Sequence, residues 1–186
     1  LRFHRGPLPK IQNLLKRDQE VVVQVAKASQ GGKGPGLTSM VSLPGRYMVL
    51  TPNSQRGGVS RKIEDGGARN ELRKILDRLP VPEGMGVIIR TAAINRSFDD
   101  LSRDLNYLLR LWNVITSRIA DAPAPALLYS DSDPAIRTVR DYFTAETEEI
   151  VIDDRVVYER VLGFFDQLMP SFKNRVKLYE SEVPMF

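Results

Sequence analysis

Cysteine is absent from the 186 residues, and histidine and tryptophan occur once each. Without cysteine there is no disulfide framework, no thiol nucleophile and no thiolate zinc site within this chain. The lone His4 cannot build a metal site, and a serine-histidine triad resting on it is not expected. Long apolar runs are missing too: no stretch approaches the roughly 18 residues a transmembrane helix needs, and no charged-then-apolar signal segment opens the chain. A cytoplasmic address is therefore expected. Acidic residues are scarce in the first third. Residues 1–62 hold 11 Lys/Arg against only Asp18 and Glu20, a balance of +9, whereas residues 63–186 hold 16 against 21, a balance of −5. That asymmetry suggests a polyanion partner for the first third. Arginine outnumbers lysine, which suits bidentate phosphate contacts, although a GC-rich genome produces the same bias.

What is present is enough for a core: 42% of the residues are hydrophobic. The first ten residues read as a loop or a junction. "EVVVQVAKA" (20–28) and "LTSMVSL" (37–43) read as strands joined by the glycine-rich, lysine-tipped "SQGGKGPG" into a hairpin. "RYMVLTP" (46–52) is a further strand. Leu72, Ile75, Leu76 and Leu79 recur at helical spacing within 68–79, and the strand "VIIRT" (87–91) follows. The clearest helix spans 98–119, with Phe98, Leu101, Leu105, Leu108, Leu109, Trp112, Ile115 and Ile119 on one face and Ser97 with Asp100 as its capping signature. Its phase makes Trp112 a core residue. "ADAPAPA" (120–126) is an extended connector. Beyond it the pattern predicts a strand "LLYS" (127–130), a helix over 134–143 capped by Asp133, a strand "EIVID" (149–153), a helix over 156–168 and a strand "VKLYE" (176–180). A mixed α+β chain whose last part is a small α/β domain follows from that order.

Three places invite chemistry. Two carboxylates at the end of an apolar strand, Asp153 and Asp154, suit a divalent metal as in nucleases, or one of them simply caps the next helix. "GGKGPG" (31–36) lacks the spacing of a nucleotide-binding phosphate loop and joins two strands, so no ATP site is expected. Binding chemistry is the third. Lys33 stands at a hairpin tip, "LPGRY" (43–47) places Gly45 where backbone N–H groups can meet an anion, and Arg90 with Thr91 supplies a fork of donors beside a hydroxyl. The alternative for Arg90 is a salt bridge to a nearby carboxylate, and for Thr91 a hydroxyl at a strand end.

Four segments, "GGKGPGLTSMVSLPGRYMVLTPN" (31–53), "GGVSRKI" (57–63), "VPEGMGVIIRTAA" (81–93) and "VKLYESEVPMF" (176–186), together resemble the bacterial ribonuclease E/G family, collinearly from about residue 11 to the end. The resemblance implies the end of an S1 RNA-binding domain of OB type over 1–40, a 5′-sensor domain over 41–125 and an RNase H-like domain without RNase H activity over 126–186. It implies a pocket for the 5′-monophosphate of RNA at Gly45, Val49, Arg90 and Thr91, and an RNA contact at Lys33. The parent protein would be a homo-oligomeric, single-strand-specific endoribonuclease of RNA processing and mRNA decay, with no DNA substrate. Its DNase I-like catalytic domain, the Mg²⁺ ligands within it and the family's zinc-sharing C-x-x-C pair have no counterpart in this sequence. The chain alone is therefore expected to be inactive, with no cofactor of its own. A stand-alone RNA-binding module and a small α/β metal-dependent enzyme using Asp153 are the alternatives.

Overall fold

The computed structural model describes residues 10–52, 54, 57–131, 133–181 and 183, with Ile11 described by its backbone alone. His4 lies outside the described residues. The chain divides into two units, residues 1–39 and 40–186.

The first unit holds a short helix α1 (Ile11–Leu14) and an antiparallel hairpin of β1 (Gln24–Lys27) and β2 (Gly36–Thr38). Both strands are shorter than the sequence pattern suggests. A bulge between Val25 and Lys27 interrupts the register, and Val21, Val23, Val25 and Leu37 are all exposed. Apolar alternation extends a strand only where one face meets a core, and these four side chains are left open to solvent. Near the tip, Gln30 and Lys33 exchange N–H···O bonds of 3.3 and 3.2 Å around Gly31 and Gly32. Gly31 sits at φ +59°, which a residue with a Cβ rarely adopts.

The second unit is built on a four-stranded sheet in the order β3 (Leu43–Pro44), β4 (Met48–Thr51), β6 (Gly86–Ile89), β5 (Gly58–Val59). Neighbours β3/β4 and β4/β6 are antiparallel, and β5/β6 are parallel. A parallel pair needs a crossover, here α2 (Gly66–Leu76), whose first turn is capped by Asp65 accepting from Ala68 N–H. Met48, Leu50, Val87 and Ile89 point into the core, whereas Val49 and Ile88 occupy the outer face. Helix α3 (Phe98–Asp121) covers the inner face with Leu101, Leu105, Leu108 and Ile115, and the Ser97/Asp100 capping box forms as the sequence indicates. Trp112 packs, partly buried, against this core.

A second apolar cluster gathers α4 (Pro134–Tyr142), α5 (Arg155–Leu168) and a parallel pair, β7 (Ile150–Ile152) with β8 (Val176–Leu178). Phe165 and Val161 lie at its centre. Tyr107 of α3 joins both clusters and meets Phe164 edge to face, ring centroids 6.3 Å apart. Asp133 caps α4, as the sequence indicates. The expected strand at 127–130 does not form. Leu127 is 81% exposed, and local apolarity makes no strand without a partner edge. Further on, a 3₁₀ segment over Pro170–Arg175 leads from α5 into β8. Mixed α+β architecture is thus observed, with no closed barrel among the described residues.

Candidate functional site

The turn between β3 and β4 is the centre of the site. Gly45 N–H donates to Met48 O at 2.8 Å, closing the turn. The next three amides, of Arg46, Tyr47 and Met48, all donate to one carboxylate, Asp104, at 3.0, 2.7 and 2.9 Å. Asp104 lies on α3 among the buried leucines and is 0% exposed. Gly45 leaves room for it: a Cβ there would stand 2.7 Å from both carboxylate oxygens.

Burial pushes the Asp104 carboxyl up to about 6 from an ordinary 3.8, and the three backbone donors pull it back only in part. A folded-state value above the unfolded one means that the stability linked to this group's proton is fully present below 3.8 and is lost as pH rises through about 6, separately from what the three amide hydrogen bonds contribute. A ¹³C-detected side-chain titration should therefore find Asp104 near pH 6; an ordinary midpoint would show that the amides offset the burial.

Arg90 follows β6 in extended conformation, and its amide donates to Tyr47 O at 2.8 Å. One arm of its guanidinium donates to Gly45 O at 2.6 Å and the other to Asp141 Oδ1 at 2.9 Å. The structure thus brings Gly45 and Arg90 together and gives Arg90 the carboxylate partner considered for it from sequence. Thr91 opens a 3₁₀ turn beside it, exposed. Val49 lies on the outer face of the sheet, level with Pro44 and Ile88. Lys33 belongs to the first unit, where its side chain is exposed.

Several residues escaped the sequence reading. Arg46 is 6% exposed and reaches the carbonyls at the end of α4, Arg140 O at 2.6 Å and Phe143 O. It thereby satisfies acceptors that a helix C-terminus leaves open. Burial draws its guanidinium pKa down, with Arg90 and Arg96 acting in the same direction. Arg140 pairs with Asp131 at 2.8 Å, and Asp141, one residue on, faces Arg90. Burial tends to raise the Asp141 carboxyl, but hydrogen bonds from Arg90 and Arg140 hold it below its usual range. Of these, only Asp104 leaves a trace in the sequence: an acid in phase with Leu101, Leu105 and Leu108.

Of Asp153 and Asp154, the second takes the capping role. Asp154 accepts from Val157 N–H at 2.8 Å at the start of α5. Among the described residues, no three His, Cys, Asp or Glu side chains gather to hold a metal. Around Arg90 the structure therefore gathers a guanidinium held by a carbonyl and a carboxylate, the exposed Thr91 next in sequence, and behind them the three buried amide hydrogen bonds to Asp104.

The sequence model described as "Ribonuclease E/G family" matches residues 42–186. The chain belongs to the ribonuclease E/G family. It is 45% identical over 179 residues to ribonuclease E of Haemophilus influenzae, an alignment covering 96% of this chain and 19% of that protein. With ribonuclease E of Escherichia coli it shares 42% over 180 residues, 96% of this chain and 17% of that protein. With ribonuclease G of Escherichia coli the identity is 34% over 176 residues, 95% of this chain and 36% of the relative. The chain therefore spans between about a sixth and about a third of these ribonuclease E/G relatives.

Proposed function

We propose that this chain is the RNA-binding, 5′-monophosphate-sensing portion of a ribonuclease E/G-type endoribonuclease acting on single-stranded RNA. The observation that carries the reading is Arg90, whose guanidinium is fixed against Gly45 just after β6, followed in sequence by the exposed Thr91, inside the region that matches the family. A terminal monophosphate has more charge and more free oxygens than an internal phosphodiester, and a fork of charged donors favours it. Gly45 shapes the turn that aims Arg90, and Val49 offers an apolar outer-face surface to the first nucleotide.

On this reading residues 41–125 form the sensor and residues 126–186 the RNase H-like part. Residues 1–40 are read as the end of an S1 domain, a reading supported by the exposed valines before and within β1, with Lys33 near the hairpin tip as a contact to the RNA backbone. The whole protein is read as a homo-oligomeric enzyme of RNA processing and decay in the cytoplasm, with RNA and not DNA as substrate. No helix among the described residues is long and apolar enough to cross a membrane. Magnesium is read as the cofactor of the whole protein; among the described residues no three His, Cys, Asp or Glu side chains gather to hold it.

The test compares oligoribonucleotides that differ only at the 5′ end. Each charge-assisted hydrogen bond is worth about 1.5–3 kcal/mol, so Arg90→Ala should weaken binding of 5′-monophosphorylated RNA several-fold or more. Binding of 5′-hydroxyl RNA should stay nearly unchanged, and Thr91→Val should show the same bias more weakly. Fluorescence anisotropy measures both. Equal losses for both ends would make Arg90 a general backbone contact or a structural ion-pair member.

A further inference from the structure

Arg90 does not face solvent alone. Its ion pair with Asp141 spans 51 positions of sequence and ties the end of β6 to the last turn of α4. Both side chains are about a third exposed, 30% and 32%, and the contact is a single N–H···O bond. Asp141 is not a drifting surface acid. The helix that carries it is capped at one end by Asp133 and at the other by Arg46, which donates to Arg140 O and Phe143 O. Its neighbour Arg140 is anchored on Asp131 and lies 3.4 Å from the Asp141 carboxylate.

This geometry gives the two partners of Arg90 different roles. Gly45 O, at 2.6 Å, holds the guanidinium in direction and carries no full charge. Asp141 adds little to that direction but cancels the charge that an incoming anion would meet. A phosphate approaching Arg90 either displaces the carboxylate or binds beside it, and both cost affinity: the first by competition, the second by like-charge repulsion, which grows with the charge of the ligand.

We propose that Asp141 is an affinity-setting residue of the Arg90 site, an internal carboxylate competitor that a phosphate monoester dianion must overcome to occupy the guanidinium. The proposal rests on the 5′-sensing reading of Arg90. It assigns a part of that site to α4, outside the segment to which the sensor pocket is ascribed. A monodentate, partly exposed pair is worth at most about 1 kcal/mol, so the competition is one that a bidentate, doubly charged ligand can win. The pair is thus strong enough to keep Arg90 occupied when no terminal phosphate is present and weak enough to yield to one.

The experiment is a double-mutant cycle on the 186-residue chain, read by anisotropy with one oligoribonucleotide carrying either a 5′-monophosphate or a 5′-hydroxyl. Asp141→Asn keeps the shape and an oxygen acceptor but removes the charge, and it should tighten binding of the monophosphorylated RNA by about fivefold. The 5′-hydroxyl RNA has no group to claim Arg90 and should bind as before. In an Arg90→Ala background the gain should vanish. Asp141→Glu retains the charge and should show no gain, which separates loss of the competitor from any loosening of α4. Weaker binding by Asp141→Asn would mean that the carboxylate orients Arg90 and would overturn the proposal. So would an equal gain for both RNA ends, or a gain that persists without Arg90, since either marks general electrostatics. The underlying sensor reading fails separately, if Arg90→Ala alone does not distinguish the two RNA ends.

Discussion

Asp104→Ala should lower the unfolding free energy by about 3–5 kcal/mol, among the largest losses available to a single substitution in this chain. The carboxylate receives the amides of Arg46, Tyr47 and Met48, and it is fully buried. Truncation leaves three donors with no acceptor in a region walled by Leu101, Leu105 and Leu108. Each unpaired buried donor costs about 1–3 kcal/mol, reduced where water enters the space the side chain vacates. Urea unfolding with an unchanged m-value would measure the loss. A loss under about 1 kcal/mol would show that the turn stands without the acid. Because the turn also presents Gly45 O to Arg90, the surviving folded protein should bind monophosphorylated RNA less well, although Asp104 is out of reach of any ligand.

The second large effect is expected at Gly45. A methyl group there would lie 2.7 Å from both Asp104 oxygens and 2.9 Å from its Cγ. The carboxylate has no way to swing aside, since three amides hold it. Overpacking of this kind typically costs about 1–3 kcal/mol, and here the relief must come from breaking hydrogen bonds, so Gly45→Ala should sit at or above the top of that range. The cause can be isolated. In an Asp104→Ala background the obstructing oxygens are gone, and the added cost of Gly45→Ala should shrink well below its cost in the parent chain. Additive losses would place the strain elsewhere in the turn. The outcome matters for function, because the same glycine is assigned to phosphate binding by resemblance, while its amide is already engaged by Met48 O.

Much of the scaffold was legible because it is local. The Ser97/Asp100 box, Asp133 before a proline, and Asp154 ahead of Val157 are short-range capping arrangements, and each appears where the spacing puts it. The apolar phase of α3 likewise follows from residues three and four apart. What was not legible depends on partners far along the chain. Arg46 finds its acceptors 94 and 97 positions away, and Asp104 gathers donors 56 to 58 positions away. The stretch 127–130 has the composition of a strand but no edge to join, whereas β5, only Gly58–Val59, has little composition of its own and forms because β6 lies alongside. Of the candidate pocket, Arg90 stood out as a guanidinium at the end of an apolar run, and resemblance linked it to Gly45. That a carboxylate on α4 would already hold that guanidinium depended on how α4 docks, which no local pattern encodes.

The proline-rich connector near residue 123 invites a cut between the two hydrophobic clusters, and the Arg46 contact shows what such a cut would expose. A piece ending there would keep a guanidinium shaped for burial with its carbonyls removed. A piece beginning there would present α4 with its last carbonyls bare. Tyr107 would likewise lose Phe164. Composition changes at that connector, yet contacts cross it within the compact unit of residues 40–186, so a piece taken from either side would carry groups whose partners stayed on the other.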